Sequence, residues 1–180
     1  TGGHDVWRLV RREVKDGAKE LYWNPSSAVL DHEILEGFDA IIHLGGEGIG
    51  DKRWSQKRKE QIRGSRVDST SLLSNAISQM KQKPEVFLIA SAIGWYGDRG
   101  DQELDESSPI GDGFLPQVCS EWEGAATKVE EVGVRTVYLR SGIVLTATGG
   151  ALGKMLLPFQ FGAGGPIGGG RQWMSWISLD

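Results

Sequence analysis

One stretch constrains the fold more than any other: Pro84-Glu85-Val86-Phe87-Leu88-Ile89-Ala90-Ser91-Ala92-Ile93-Gly94-Trp95-Tyr96-Gly97. An unbroken apolar run, Val86-Phe87-Leu88-Ile89-Ala90, follows a proline and ends in small residues. A run so short and continuous, with β-branched and aromatic members, fits a strand buried on both faces, as in a parallel sheet covered by helices. In open α/β sheets, ligands bind beyond the carboxyl ends of the strands. The hydroxyl of Ser91 and the phenol of Tyr96 fall at that end, so both are candidate catalytic groups. A packed turn whose aromatics cover the sheet end is the competing structural explanation.

The rest of the chain repeats the pattern. Residues 6–10, 20–24, 38–44 and 134–140 read as further short strands, and 28–35 as a short helix. From 55 to 82 the spacing becomes helical, with Ile62, Leu73, Ile77 and Met80 on one side and Lys57, Arg58, Lys59 and Glu60 on the wet side. Residues 98–113 are polar and acidic, a loop. Residues 114–131 carry Leu115, Val118, Trp122 and Val129 at helical spacing. Another helix starts at Gly149-Gly150, and a glycine-rich loop over 162–170, a candidate lid, leads into Trp173-Met174-Ser175-Trp176-Ile177. Strand and helix alternate at lengths that suit βαβ crossovers, so the chain is expected to form an α/β fold, a Rossmann-like doubly wound parallel sheet.

Composition narrows the function classes. At 180 residues the chain has the length of one domain and can bury a core without metals or disulfides. A net charge of −4 argues against a general nucleic-acid or acidic-membrane surface, and no apolar run reaches membrane-spanning length. Cys119 is the single cysteine, which excludes an internal disulfide and a cysteine-cluster metal site and fits a reducing, cytoplasmic compartment. Asp101, Glu103, Asp105 and Glu106 read as a solvated loop with no metal-ligand spacing. His43 lies inside an apolar strand and reads as a core histidine.

The end of the first strand bears on the cofactor. In dinucleotide-binding folds, an acid after the second strand reads the ribose 2′-hydroxyl, whereas arginine accommodates a 2′-phosphate. Here Val10 is followed by Arg11-Arg12, and guanidinium forks suit phosphate. A solvated basic turn is the structural alternative. Gly45-Gly46, after residues 38–44, lets backbone approach a ligand closely. The phosphate-cradling glycine fingerprint itself is missing: Thr1-Gly2-Gly3 is followed by His4-Asp5 and a strand, not by strand, turn and helix in order.

Taken together, the motifs resemble the atypical, extended short-chain dehydrogenase/reductases called epimerase-family (NAD-dependent epimerase/dehydratase-like) proteins, of the YfcH type. The resemblance is carried by Gly3-His4-Asp5-Val6 into Val10-Arg11-Arg12, by residues 38–47, by Arg53-Trp54 and Gly64-Ser65-Arg66, and by residues 91–98. It continues through residues 105–109 and 111–115, Trp122-Glu123, residues 139–145, Gly164-Gly165-Pro166-Ile167-Gly168 and residues 172–177. It implies an NADP-binding domain over 1–145 whose first βα unit precedes Thr1. Residues 146–180 would begin a smaller substrate lobe that mostly follows Asp180, leaving the fold incomplete at both ends.

The resemblance also implies roles. Arg11 would meet the 2′-phosphate of NADP, Leu44 and Gly45 would lie along its adenosine and pyrophosphate side, and Gln61 and Arg66 would face it from the long helix. Leu145 would lie near the nicotinamide, and Ser91 would hold the place of the superfamily's catalytic serine. The chain departs from that superfamily at its Tyr-x-x-x-Lys pair: aligned from Glu123, those places fall on Leu115 and Cys119. Tyr96 is then the substitute proton donor, and a phenol needs a nearby cation or a strong hydrogen bond to work at neutral pH; Arg99 or another basic group would supply it. The expected function is an NADP(H)-dependent oxidoreductase or sugar-nucleotide epimerase-like enzyme acting on a small carbonyl or sugar, possible as a homodimer. A non-catalytic NADP-binding sensor or scaffold is the alternative.

Overall fold

A computed structural model describes residues 2–166 and 168–179 of the chain. Thr1, Ile167 and Asp180, parts of the segments quoted above, lie outside the described residues.

Three parallel pieces make up the strand layer. β1 (Arg8–Val10) pairs with β2 (Glu20–Tyr22), Leu9 opposite Leu21. β3 (Ala40–His43), β4 (Val86–Ala92) and β5 (Arg135–Ser141) form the central ladder with β4 in the middle. β6 (Ile143–Leu145) pairs with β7 (Trp176–Ser178). Parallel neighbours need long crossovers, and the helices supply them. α1 (Gln56–Gln79) joins β3 to β4, α2 (Phe114–Gly124) and α3 (Thr127–Glu131) join β4 to β5, and α4 (Gly150–Gln160) stands between β6 and β7. Among the described residues no ladder joins β1 to β3. Edge-to-face rings bridge them instead, Trp7 on Phe38 at 6.2 Å and Trp23 on His43 at 5.8 Å.

α1 starts where Ser55 Oγ accepts the Arg58 amide at 3.2 Å, satisfying one of the donors that a helix start leaves open. Its apolar stripe meets the covered face of β4. Phe87 and Ile89 of β4, Leu73 and Ile77 of α1, Trp122 of α2 and Val129 of α3 form one buried cluster. Each large apolar side chain so buried contributes about 1.5–3 kcal/mol.

Three expectations change. β4 is not buried on both faces: Phe87, Ile89 and Ser91 are buried, Val86, Leu88, Ala90 and Ala92 only half-buried, and neighbouring Ile42 is 60% exposed. The clustered helices all lie on the Phe87–Ile89 side of these residues. Residues 28–35 are not one helix. Asn24 caps a 3-10 turn at Pro25–Ser27, Ala28 turns left-handed at φ 53°, and Asp31 caps a second turn at His32–Leu35. Finally, residues 114–131 break after Gly124. The Ala126 amide bonds to Glu123 O in a tightened turn, and Thr127 Oγ1 takes the Gly124 carbonyl at 2.8 Å, competing with helical continuation.

Candidate functional site

At the carboxyl end of β4, Ser91 lies on the covered face, where α2 presents Glu123. Ser91 Oγ donates to Glu123 Oε1 at 2.6 Å. Arg140 stands beside Ser91 in the β4–β5 register and closes the unit, its Nε donating to Oε1 and its Nη2 to Oε2 of Glu123, each at 2.9 Å. This two-pronged geometry is the strong form of a carboxylate–guanidinium contact. The hydrogen bonds to Glu123 push the Arg140 pKa up against the opposing effect of burial. The same guanidinium lies 3.9 Å from the centre of the Trp95 ring, and its Nη1 reaches Tyr96 Oη at 3.4 Å and the Glu106 carbonyl at 3.3 Å. One cation therefore connects both candidate catalytic residues: Ser91 through Glu123, and Tyr96 directly.

Tyr96 ends the 3-10 turn Ile93–Tyr96, which follows β4 without a break. The Gly111 amide donates to Trp95 O at 2.9 Å, and a side chain at Gly111 would collide with the Tyr96 carbonyl, so the acidic loop passes this turn backbone to backbone. Arg99 has a different job. It binds carbonyls of Tyr96 at 3.2 Å, Pro109 at 2.8 Å and Ile110 at 3.2 Å, lacing the loop, while the phenol's cation is Arg140. Leu115 and Cys119 pack on the turn, with Leu115 Cβ and Cys119 Sγ each 3.5 Å from the point a Cβ on Gly94 would occupy. Burial and the neighbouring Glu123 carboxylate push the Cys119 thiol up, so it sits there as a neutral packing group.

The remaining candidates lie along the ends of β1 and β3. Arg11 is exposed and makes no hydrogen bond or ion pair with any described residue. Arg12 is committed: its Nη2 donates to the buried Glu20 carboxylate at 2.6 Å, and Arg8 lies 3.6 Å from the same oxygen. Of the arginine pair, only Arg11 has its guanidinium to offer. A depression of about 480 Å³, lined by Arg12, Glu13, Val14, Lys15 and Asp16, opens beside that turn.

After β3, Leu44 and Gly45 are exposed. A Cβ at Gly45 would stand 2.8 Å from His43 Cε1, and one at Gly46 would stand 3.0 Å from Arg66 Cζ. Glycine is what lets this loop lie against both side chains. His43 is buried, with Nε2 2.9 Å from Ser69 Oγ, and burial pushes its pKa down to about 4. It is a neutral core histidine. Gln61 is exposed, and its carbonyl accepts from Arg58 Nη1 at 3.3 Å; the same buried arginine binds Glu47 at 3.0 Å and Gly48 O at 2.6 Å. Arg66 is half-buried over the Trp122 ring, 5.1 Å from its centre. Leu145 is half-buried at the end of β6, opposite Ser178.

Ser91 and Tyr96 are thus brought into one network, while Arg11, Leu44, Gly45 and Gln61 lie outside it and Arg66 stands over Trp122, the residue before Glu123. Glu123 and Arg140 escaped notice as functional residues. The signal was present: an acid on the apolar face of a helix and an arginine closing an apolar strand must find each other if both are to be buried. Among the described residues no His/Cys/Asp/Glu group has the arrangement of a metal site, and no helix is long and apolar enough to cross a membrane.

A parallel α/β layer with its polar groups gathered at the carboxyl edge defines a Rossmann-like fold. The model of the NAD dependent epimerase/dehydratase family matches residues 2–116, and the chain belongs to that family. It is 42% identical over 177 residues to "Epimerase family protein ML0860" of Mycobacterium leprae, covering 98% of this chain and 57% of that protein. The crystal structure of human epimerase family protein SDR39U1 (isoform 2) with NADPH superposes with a TM-score of 0.81 at 36% identity, over 98% of this chain and 58% of that one. A nucleoside-diphosphate sugar epimerase from Corynebacterium glutamicum gives 0.82 at 39% identity, over 98% of this chain and 36% of that one. The chain thus spans little more than half the length of the mycobacterial and human relatives.

Proposed function

We propose that this chain is the cofactor-binding part of an NADP(H)-dependent oxidoreductase or epimerase-like enzyme of the YfcH type. Its substrate would be a small carbonyl compound or sugar. The observation that carries this reading is Arg11, an exposed guanidinium with no partner among the described residues, next to an arginine already neutralised by Glu20. An arginine held free at the end of this strand suits a 2′-phosphate. That the similar human protein was solved with NADPH supports the choice of NADP over NAD. The residues present fit the cofactor: Arg11 would take the 2′-phosphate, Leu44 and Gly45 the adenosine and pyrophosphate side, Gln61 and Arg66 the flank along α1, and Leu145 the nicotinamide end. When bound, the nicotinamide supplies the hydride donor or acceptor.

The chain's own catalytic residues are then Ser91 and Tyr96. Arg140 holds a hydrogen-bond donor 3.4 Å from the phenolic oxygen, so a negative charge developing there on proton loss meets a fixed cation. Glu123 keeps that cation in place and orients the Ser91 hydroxyl. In this scheme residues 1–145 bind the cofactor and 146–180 begin the substrate lobe, in a cytoplasmic protein that acts on a small molecule, as a monomer or homodimer. The test is turnover of the full-length protein with NADPH over a panel of carbonyl compounds and nucleotide sugars. Loss of at least about a hundredfold in Tyr96→Phe is expected of a positioned proton donor, with a smaller loss in Ser91→Ala. Turnover indifferent to both would overturn the assignment.

A second reading, an NADP-binding sensor or scaffold without chemistry, is favoured by two observations. By the resemblance, Leu115 and Cys119 would hold the places of the usual tyrosine and lysine, and the Ser91 hydroxyl already donates its hydrogen bond to Glu123. It predicts tight NADPH binding with no turnover of any panel member.

A further inference from the structure

Cations at the strand ends are mostly cancelled by acids. Arg12 is paired with Glu20, Arg58 with Glu47, Arg140 with Glu123, and Lys154 with Asp51. Arg66 is different. Its Nη1 donates to the Ile62 carbonyl of its own helix at 3.0 Å and approaches Ser65 Oγ at 3.5 Å, while Nε and Nη2 make no hydrogen bond to any described residue. No carboxylate lies within ion-pair distance; the nearby acid, Glu47, is held by Arg58 at 3.0 Å. Cys119, the neighbouring ionisable group on α2, is kept neutral by burial and by Glu123. Burial draws the Arg66 pKa down, yet a guanidinium stays protonated in proteins.

A half-buried charge without a counter-charge costs folding energy, so its retention calls for a reason. Its position supplies one. The guanidinium lies over Trp122, the residue before Glu123, and directly behind Gly46 in the loop after β3. A Cβ at Gly46 would stand 3.0 Å from its Cζ, so a side chain there would crowd this charge. Its neighbours Trp122 and Cys119 lie on α2, the helix that presents Glu123 to Ser91, whereas Arg11 stands at the end of β1. Arg11 and Arg66, neither of which has a carboxylate partner among the described residues, therefore mark different regions, and Arg66 belongs with the reacting groups.

We propose that Arg66 is the fixed cation of the reacting end, delivered from α1, and that it biases the site towards the reduced cofactor, whose nicotinamide ring is uncharged, over the oxidised one, whose ring is cationic. This rests on the proposed NADP site. It assigns to α1 a positive charge that α2, with Cys119 at the corresponding place, cannot provide.

The experiment measures Kd for NADPH and for NADP+ with the full-length protein and with Arg66→Lys and Arg66→Met. Tighter binding of NADPH than NADP+ is expected of the wild type, and the ratio of the two constants should fall about five- to tenfold in Arg66→Met, the size of one charge–charge interaction at high effective dielectric. Arg66→Lys should keep most of the preference. If Arg66→Met does not fold, Arg66→Gln, neutral but polar, must show the same fall. A ratio within about twofold of the wild type in the neutral variant overturns the proposal even if both constants weaken, because a merely structural arginine weakens both forms alike. So does Arg66→Lys behaving like the neutral variant. Failure of the wild type to bind either form is a different result, and it overturns the cofactor site itself.

Discussion

Glu123 and Arg140 meet at the carboxyl end of the sheet as a two-pronged ion pair, with both carboxylate oxygens engaged at 2.9 Å and both side chains largely out of solvent. The pair joins α2 to β5 and carries Ser91 on one side and Tyr96 on the other. Removing one partner of such a pair strands the other charge and typically costs about 3–5 kcal/mol, whereas replacing both by apolar groups is often near neutral. Glu123→Ala should therefore lower unfolding free energy by that amount in a urea titration. Glu123→Leu combined with Arg140→Met should recover most of the loss without restoring any turnover.

Gly111 lets the acidic loop pass the Tyr96 turn backbone to backbone. Gly111→Ala puts a methyl group into the Tyr96 carbonyl, so the turn must move and Tyr96 leaves the reach of Arg140. Turnover should fall to near the level of Tyr96→Phe, and Gly111→Ala added to Tyr96→Phe should cost little more. Independent, additive losses would show that Gly111 acts elsewhere.

The two adjacent arginines should separate cleanly. Arg12 holds the buried Glu20 carboxylate below the usual carboxylate range through its hydrogen bond. Arg12→Ala should lower Tm while leaving NADPH affinity within about twofold, because it removes an internal pair and no ligand contact. Equal effects of Arg11→Ala and Arg12→Ala on affinity would contradict the division.

His43 gives stability a pH dependence of known sign. Its folded pKa of about 4 lies below the 6.5 of a free imidazole, so the unfolded chain binds a proton that the folded chain refuses. The stabilisation is fully present above pH 6.5 and is lost as pH falls towards 4, reaching about 2 kcal/mol by pH 5. Denaturant titrations at pH 7 and pH 5 should show a larger difference for the wild type than for His43→Gln, by roughly that amount.

Much of the fold was legible because strands and helices here differ in period. The runs 86–90 and 134–140 and the stripe from Ile62 to Met80 each became the expected element. What misled was local chemistry: Ala28 turned left-handed and Asp31 capped a short turn where a helix was expected over 28–35, and Thr127 with Gly124 split another. At the site, Ser91 and Tyr96 were visible from their place after a buried strand. The Glu123–Arg140 pair was not, because its partners lie 17 residues apart on different elements and only the β4–β5 register brings them together.

The most direct test is a titration of the full-length protein with NADPH and NADH, before and after Arg11→Ala. The site described here predicts that the wild type binds NADPH at least about tenfold more tightly than NADH, as expected for a charge-assisted phosphate contact, and that Arg11→Ala abolishes this preference while leaving NADH affinity unchanged. Equal binding of the two cofactors by the wild type, or a preference that survives Arg11→Ala, would contradict it.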